Sequence, residues 1–284
     1  MSQKIRLPFI QVDAFTTEPF RGNSAAVMRM DSGFLSDATL QAIAAENNLS
    51  ETSFWKYKDG ADADGEVMEL DLRWFTPTME VEICGHATLA CAHVIFDESS
   101  QAKLLKFHTL SGVLQVSKLQ DGRMQMIFPR YDLEQRMDLI QGVTDSLGAP
   151  PLEVLWSEGK RDAIAVYESP SVVQNLRPDM RKLGDQPYLA IIATASLTGG
   201  DHDFEYRFFA PRCGIDEDPV TGSAQCSLTP FWSPKLGTES LVSRQSSRRG
   251  GQLWSELCVQ DGQSKVSVSG KAVTVIRGEM EFCI

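Results

Sequence analysis

The chain lacks most of the signatures that would assign it quickly. No stretch approaches the ~20 consecutive apolar residues of a membrane-spanning helix. There is no Cys-x-x-Cys pair; the six cysteines are scattered as Cys84, Cys91, Cys213, Cys226, Cys258 and Cys283. Cys84 and Cys91, placed on one helix, would stand about 10 Å apart along its axis, too far for a disulfide. Reduced thiols and a cytoplasmic location are the expectation. The first residues show neither the apolar block nor the small-residue cleavage site of a signal peptide and read instead as a strand. Positive charge is scarce: 27 Lys and Arg against 38 Asp and Glu give a net charge of −11. Phosphate backbones need a basic face, so nucleic acid is excluded as a partner, and the short run Arg244 to Arg249 reads as a solvated loop. Glycine-rich phosphate loops, the dinucleotide fingerprint and the Gly-x-Ser-x-Gly elbow are absent. His86 and His93 do not form the His-Glu-x-x-His arrangement. The expectation is an enzyme without metal or cofactor.

What is present is a repeat. Arg73-Trp-Phe-Thr-Pro77 matches Arg207-Phe-Phe-Ala-Pro211 at an offset of 134 residues, and the same offset carries Cys84 onto Asp218. Farther on, Gly112 pairs with Gly251 and Gln120-Asp-Gly122 with Gln260-Asp-Gly262. Each copy reads as a β-rich segment ending at a proline, a loop, a glycine-containing helix start, and two strands around a tight Asp-Gly turn. Two copies of one α+β unit follow, over residues 1–130 and 131–284, with exchange of the C-terminal strand between them allowed. Pro150 and Pro151 in "SLGAPPLE" suit the crossing between the halves.

The run "ICGHATLACAHVIF" (83–96) is apolar but built from small residues, among them Ala87, Thr88, Ala90, Cys91 and Ala92. Alternating strands such as "VLQVSKL" and "KVSVSG" surround it in the sequence. If they curl round one central helix, its side chains must be small. The expected fold class is therefore α+β, with two pseudo-symmetric halves, each a barrel-like, mostly antiparallel sheet around a central helix.

A helix start offers unpaired N–H groups and partial positive charge, a natural seat for a carboxylate. The residues at these starts are Gly85 and His86 in one half, and Asp218, Thr221, Gly222 and Ser223 in the other. Pseudo-twofold symmetry would let both starts face one cleft between the halves. One acidic residue breaks the symmetry. Glu51 follows a helix with a Ser36/Asp37 cap and enters an apolar strand; its counterpart is missing from the second half. Partial desolvation there should raise its pKa toward the range useful for proton transfer.

Four stretches, "DAFTTEPFRGNSAAV" (13–27), "NLSETSFW" (48–55), "RWFTPTMEVEICGHATLA" (73–90) and "EDPVTGSA" (217–224), resemble the PhzF family of phenazine-biosynthesis-like isomerases, and within it the phenazine biosynthesis-like domain-containing proteins. The resemblance implies the diaminopimelate-epimerase-like fold, a site between the halves, homodimers, and proton transfer without a cofactor. It implies that Glu51 is the acid/base group and that Gly85, His86, Asp218 and Ser223 are site residues. Asn23, in the first of these stretches, joins Thr221 and Gly222 in the expected substrate-binding set. Epimerases of this fold use two cysteines. Here Cys84 faces Asp218 across the repeat, so a two-cysteine mechanism is not expected and Cys84 reads as a buried small residue.

The resulting expectation is a cofactor-independent isomerase or epimerase that moves a proton on a small carboxylate-bearing metabolite. A catalytically inactive, PhzF-like protein-interaction module is the alternative. A metal-dependent hydrolase using Asp216, Asp218 and His86 lacks the ligand spacing.

Overall fold

The computed structural model describes residues 4–61 and 65–283. Two compact units emerge, residues 1–126 with 269–284, and residues 127–268. Among the described residues, no helix is long and apolar enough to cross a membrane.

In the first unit the chain runs through β1 (Lys4–Ala14), β2 (Asn23–Arg29), α1 (Asp37–Asn47), β3 (Glu51–Tyr57), β4 (Val67–Phe75), β5 (Glu80–Val81), α2 (Gly85–Glu98), β6 (Leu104–Thr109) and β7 (Gly112–Lys118), and the division falls within β8 (Met124–Pro129). Helix α1 forms where the sequence places it. The Ser36 hydroxyl accepts from the Thr39 N–H, and Leu40, Ile43 and Ala44 turn inward. Asn48 closes it in the left-handed conformation, which asparagine tolerates well. β1 pairs antiparallel with β2, β2 parallel with β3, β3 antiparallel with β4, β4 parallel with β6, and β6 antiparallel with β7.

The second unit continues with β9 (Glu134–Gln135), α3 (Ile140–Leu147), β10 (Glu153–Ser157), β11 (Asp162–Val166), α4 (Pro170–Asn175), α5 (Met180–Gly184), β12 (Ala190–Ser196), β13 (Phe204–Phe209), α6 (Gln225–Leu236), β14 (Ser240–Gln245), β15 (Gly251–Gln260) and β16 (Gln263–Gly270). Its strands pair in the same alternation. β10–β11 is antiparallel, β11–β12 parallel, β12–β13 antiparallel, β13–β14 parallel and β14–β15 antiparallel. The repeat read in the sequence is thus a repeat of strand pairing, and the fold is α+β.

The ends of the units differ from the simple division at residue 130. The final strand, β17 (Ala272–Cys283), pairs antiparallel with β1 from Lys4↔Cys283 to Ala14↔Ala272 and belongs to the first unit. Its alternative would be to leave β1 as a long unpaired edge with exposed N–H and C=O groups. "SLGAPPLE" is not the crossing: Ser146 and Leu147 end α3, and Gly148 caps it at φ 83°.

Each unit holds one helix among its strands. In α2 ten residues are buried, His86 to Ala92 and Val94 to Phe96. Only short side chains let backbone and sheet approach this closely, which accounts for the alanines. In α6 the buried set is Gln225 to Thr229, Trp232 and Ser233.

The repeated arginines close a second correspondence. Arg73 grips Glu80 with Nε–Oε1 and Nη2–Oε2 contacts of 2.7 Å each, and lies over the Phe75 ring. Arg207 grips Glu217 at 2.7 and 2.9 Å and lies over the Phe209 ring. Each bidentate pair pins a strand to the loop that leads into a helix start. All four side chains are at most a quarter exposed, so these pairs are better shielded than ordinary surface ion pairs.

Overpacking tests the account of α2. Ala90→Leu, at a fully buried position, should cost about 1–3 kcal/mol in urea unfolding. An unchanged midpoint would show that the helix does not need its small residues.

Candidate active site

At the start of α2 three side chains converge. Glu51 is the first residue of β3, and Cys84 is the N-cap residue of α2, followed by Gly85 and His86. Glu51, Cys84 and His86 are 9, 7 and 8% exposed. Their ligating atoms all lie within 4.8 Å of one another. His86 Nε2 approaches Glu51 Oε2 to 2.8 Å, but neither atom has an aligned hydrogen bond, so the contact is chiefly ionic. On the other side of the ring, Nδ1 lies 3.6 Å from Cys84 Sγ and 3.3 Å from Asn23 Nδ2. Ser50 Oγ donates to Asn23 Oδ1 at 3.1 Å. The Ser53 hydroxyl donates to the Ala87 carbonyl at 3.1 Å, tying β3 to the first turn of α2.

The electrostatics correct one expectation. Burial does push the Glu51 carboxyl up, but the neighbouring His86 charge, with the close polar contacts of His86 and Cys84, outweighs it. The result is a pKa below the ordinary 4.5, not above it. Burial alone would lower His86, yet the Cys84 sulfur and the Glu51 carboxylate hold it well above its ordinary value. The resting pair is therefore carboxylate and imidazolium. The Cys84 thiol is pushed up by burial and by Glu51, against the opposing pull of His86. Cys84 is also more than a small packing residue, since its sulfur touches the pair. The repeat offset carried the signal: it placed Cys84 at the same helix start as His86.

The remaining expected residues lie in the second unit. A short hydrogen bond joins the Thr221 hydroxyl to the Asp218 carboxylate. Gln245 holds both residues, donating from Nε2 to the Asp218 carbonyl at 2.5 Å and accepting from the Thr221 N–H at 2.6 Å. Tyr206 donates to the Thr221 carbonyl at 3.1 Å. Gly222 and Ser223 do not open α6 directly. They form a short 3-10 turn, Gly222–Ala224, and α6 begins at Gln225. Sequence reasoning missed Lys160, whose Nζ donates to Ser223 Oγ at 2.9 Å and lies 3.4 Å from the buried Asp162. Nothing in the motif stretches marks a lysine that lies 63 residues upstream of Ser223. Likewise Gln245 sits in the run that reads as a solvated loop, yet it braces Asp218.

The pair sets a pH signature. Its stabilisation is fully present between the ordinary values of the two groups, 4.5 and 6.5. It is lost as pH falls through the depressed Glu51 value or rises through the raised His86 value. In Glu51→Gln the carboxylate's share of the upward shift is removed while that of Cys84 remains, so the NMR titration midpoint of His86 should fall from its raised position. An unchanged midpoint would show that the carboxylate is not what holds the proton.

Comparisons with known proteins give the chain a family. A family model described as phenazine biosynthesis-like protein, PhzC-PhzF, matches residues 12–278. An uncharacterized isomerase of Pseudomonas aeruginosa is 43% identical over 279 residues, covering 98% of this chain and all of that protein. The mouse phenazine biosynthesis-like domain-containing protein 1 is 37% identical, covering 97% of this chain and 99% of its own length. The crystal structure of a PhzF family protein from Enterococcus faecalis aligns with a TM-score of 0.86 at 37% identity, covering 97% of this chain and 99% of that one. A hydroxyproline epimerase from Agrobacterium vitis shares the fold alone, at a TM-score of 0.55 and 10% identity, over 99% of this chain and 94% of its own. The chain belongs to the PhzC-PhzF family of phenazine biosynthesis-like proteins, a family of isomerases.

Proposed function

We propose that the chain is a cofactor-independent isomerase that shifts a proton on a small carboxylate-bearing molecule, with Glu51 as the acid/base group. One observation carries this reading: an ionised carboxylate sits buried against an imidazolium at a helix start, with no saturating set of hydrogen bonds. A carboxylate so placed takes a proton from carbon. As it does so its attraction to His86 falls away, and His86 is left ready to give up its own proton or to stabilise charge on the substrate. Transfer back from Glu51 to a different carbon completes the shift. The neutral Cys84 thiol is not the base in this scheme, because a thiolate there would be buried beside a carboxylate.

The same reading assigns substrate binding to Gly85, His86 and Asn23, and, by the family resemblance, to Asp218, Thr221, Gly222 and Ser223. Ser223→Ala should then raise KM more than it lowers kcat.

Incorporation of deuterium from heavy water into a panel of small unsaturated and hydroxy carboxylates identifies the substrate. Against that substrate, Glu51→Gln should lose about 10²–10⁴-fold in rate, while Cys84→Ser should retain most of it. Near-normal exchange by Glu51→Gln, or loss confined to Cys84→Ser, would overturn the assignment. If the native chain exchanges nothing across the panel, the interaction-module alternative gains.

A further inference from the structure

The buried cluster has a second chemical capacity. One thiol, one imidazole and one carboxylate converge within 4.8 Å, and Glu51, Cys84 and His86 are the one such trio among the described residues. Tetrahedral zinc takes these donor types, with bonds of about 2.3 Å to sulfur and about 2.0–2.2 Å to nitrogen and oxygen. Those lengths put the donors roughly 3.5 Å apart around the ion, so each needs to move by no more than about an ångström. Two of the candidate ligand atoms, Glu51 Oε2 and His86 Nε2, are buried and have no aligned hydrogen bond. The imidazole Nδ1 already lies against Asn23, which leaves Nε2 on the Glu51 side.

A comparison within the chain shows why this cluster stands apart. Among the described residues, His202 and Glu205 form the other buried histidine–carboxylate contact, at 3.0 Å. There His202 Nδ1 is taken by Asp201 at 2.7 Å, and Glu205 Oε2 accepts from Gln174 at 2.7 Å and from Ser246. No sulfur joins it, and its polar atoms are used. The trio at α2 has a soft ligand and spare valence.

We infer that Glu51, Cys84 and His86 capture a thiophilic divalent metal ion of the Zn²⁺ class, and that the bound ion inhibits the isomerase by occupying its proton-moving groups. Mg²⁺ and Ca²⁺ do not compete, since a thiol, an imidazole and a single carboxylate make a poor site for hard cations. Coordination releases the Cys84 thiol proton and the His86 Nε2 proton to solvent, and takes the Glu51 charge and the His86 ring nitrogen out of play. Metal capture stands on the three side chains alone; its inhibitory consequence rests on the reading of Glu51 as acid/base group.

Cobalt(II) titration of the full chain, stripped of metal by chelator, tests the capture. A thiolate-to-cobalt charge-transfer band should appear at one equivalent and be removed by stoichiometric Zn²⁺. Cys84→Ser, checked for native circular dichroism, should lose the band, whereas Cys213→Ser and Cys283→Ser, at exposed positions, should keep it. Glu51→Gln and His86→Gln should each weaken Zn²⁺ binding at least tenfold. A band that survives Cys84→Ser, or Zn²⁺ affinity equal in all variants, would overturn the site. Should Cys84→Ser misfold, Cys84→Ala with the same spectrum as the native chain would overturn it equally. Deuterium exchange then separates the two claims. Zn²⁺ that binds through Cys84 without slowing exchange leaves the metal site standing and defeats the role of Glu51. Exchange that depends on Glu51, with no cobalt band, does the reverse.

Discussion

Burial of the helix in each unit is the constraint from which the candidate site follows. A helix enclosed by strands has room for few large side chains where the sheet comes closest, and α2 carries Ala87, Thr88, Ala90, Cys91 and Ala92 there, with Leu89 the one large residue among them. Enclosure leaves the chemistry little room except at the end where the chain comes in. Polar groups are concentrated there because the first-turn N–H groups of a helix have no partners of their own. Ser53 fastens β3 to that turn through the Ala87 carbonyl, and this sets the start of β3, and hence Glu51, against His86.

Much of this was legible in the sequence, and for identifiable reasons. The duplication is written in side chains that cannot drift freely. Arg73 and Arg207 each need a bidentate carboxylate partner and an aromatic ring, so their surroundings remain recognisable. The extent of α1 was equally clear, since Ser36 and Asn48 cap it by local chemistry. Glu51 could be singled out because a carboxylate at the start of an apolar strand is anomalous by itself.

Other features depend on pairings that local sequence does not encode. The return of β17 to β1 is a contact between the two ends of the chain, and nothing within "AVTVIRGEMEFC" announces its partner. The direction of the Glu51 shift failed for the same reason. Desolvation can be guessed from neighbours in sequence, but the opposing charge comes from His86, 35 residues later. Lys160 and Gln245 reach Ser223 and Asp218 from the turn before β11 and the end of β14. Both are ordinary residues until the fold brings them alongside a helix start.

The two units also show what duplication preserves and what it releases. Each retains the arginine–glutamate clamp and the parallel and antiparallel order of strands, because these fix how the chain leads into its buried helix. The side chains presented at that helix start have diverged. The first unit offers a carboxylate–imidazolium pair with a thiol beside it, and its helix begins directly at Gly85. The second offers Asp218, bonded to Thr221 and braced by Gln245, and reaches its helix through a 3-10 turn whose Ser223 is held by Lys160. A symmetric proton transfer between two matched groups would require the same residue at the two helix starts. Among the described residues, the first helix start carries a carboxylate against an imidazole, and the second carries Asp218 bonded to a hydroxyl instead. The duplicated scaffold is thus unsymmetrical in its helix starts, and the proposed one-base proton shift at Glu51 draws on that difference, the second unit's helix start being built for hydrogen bonding.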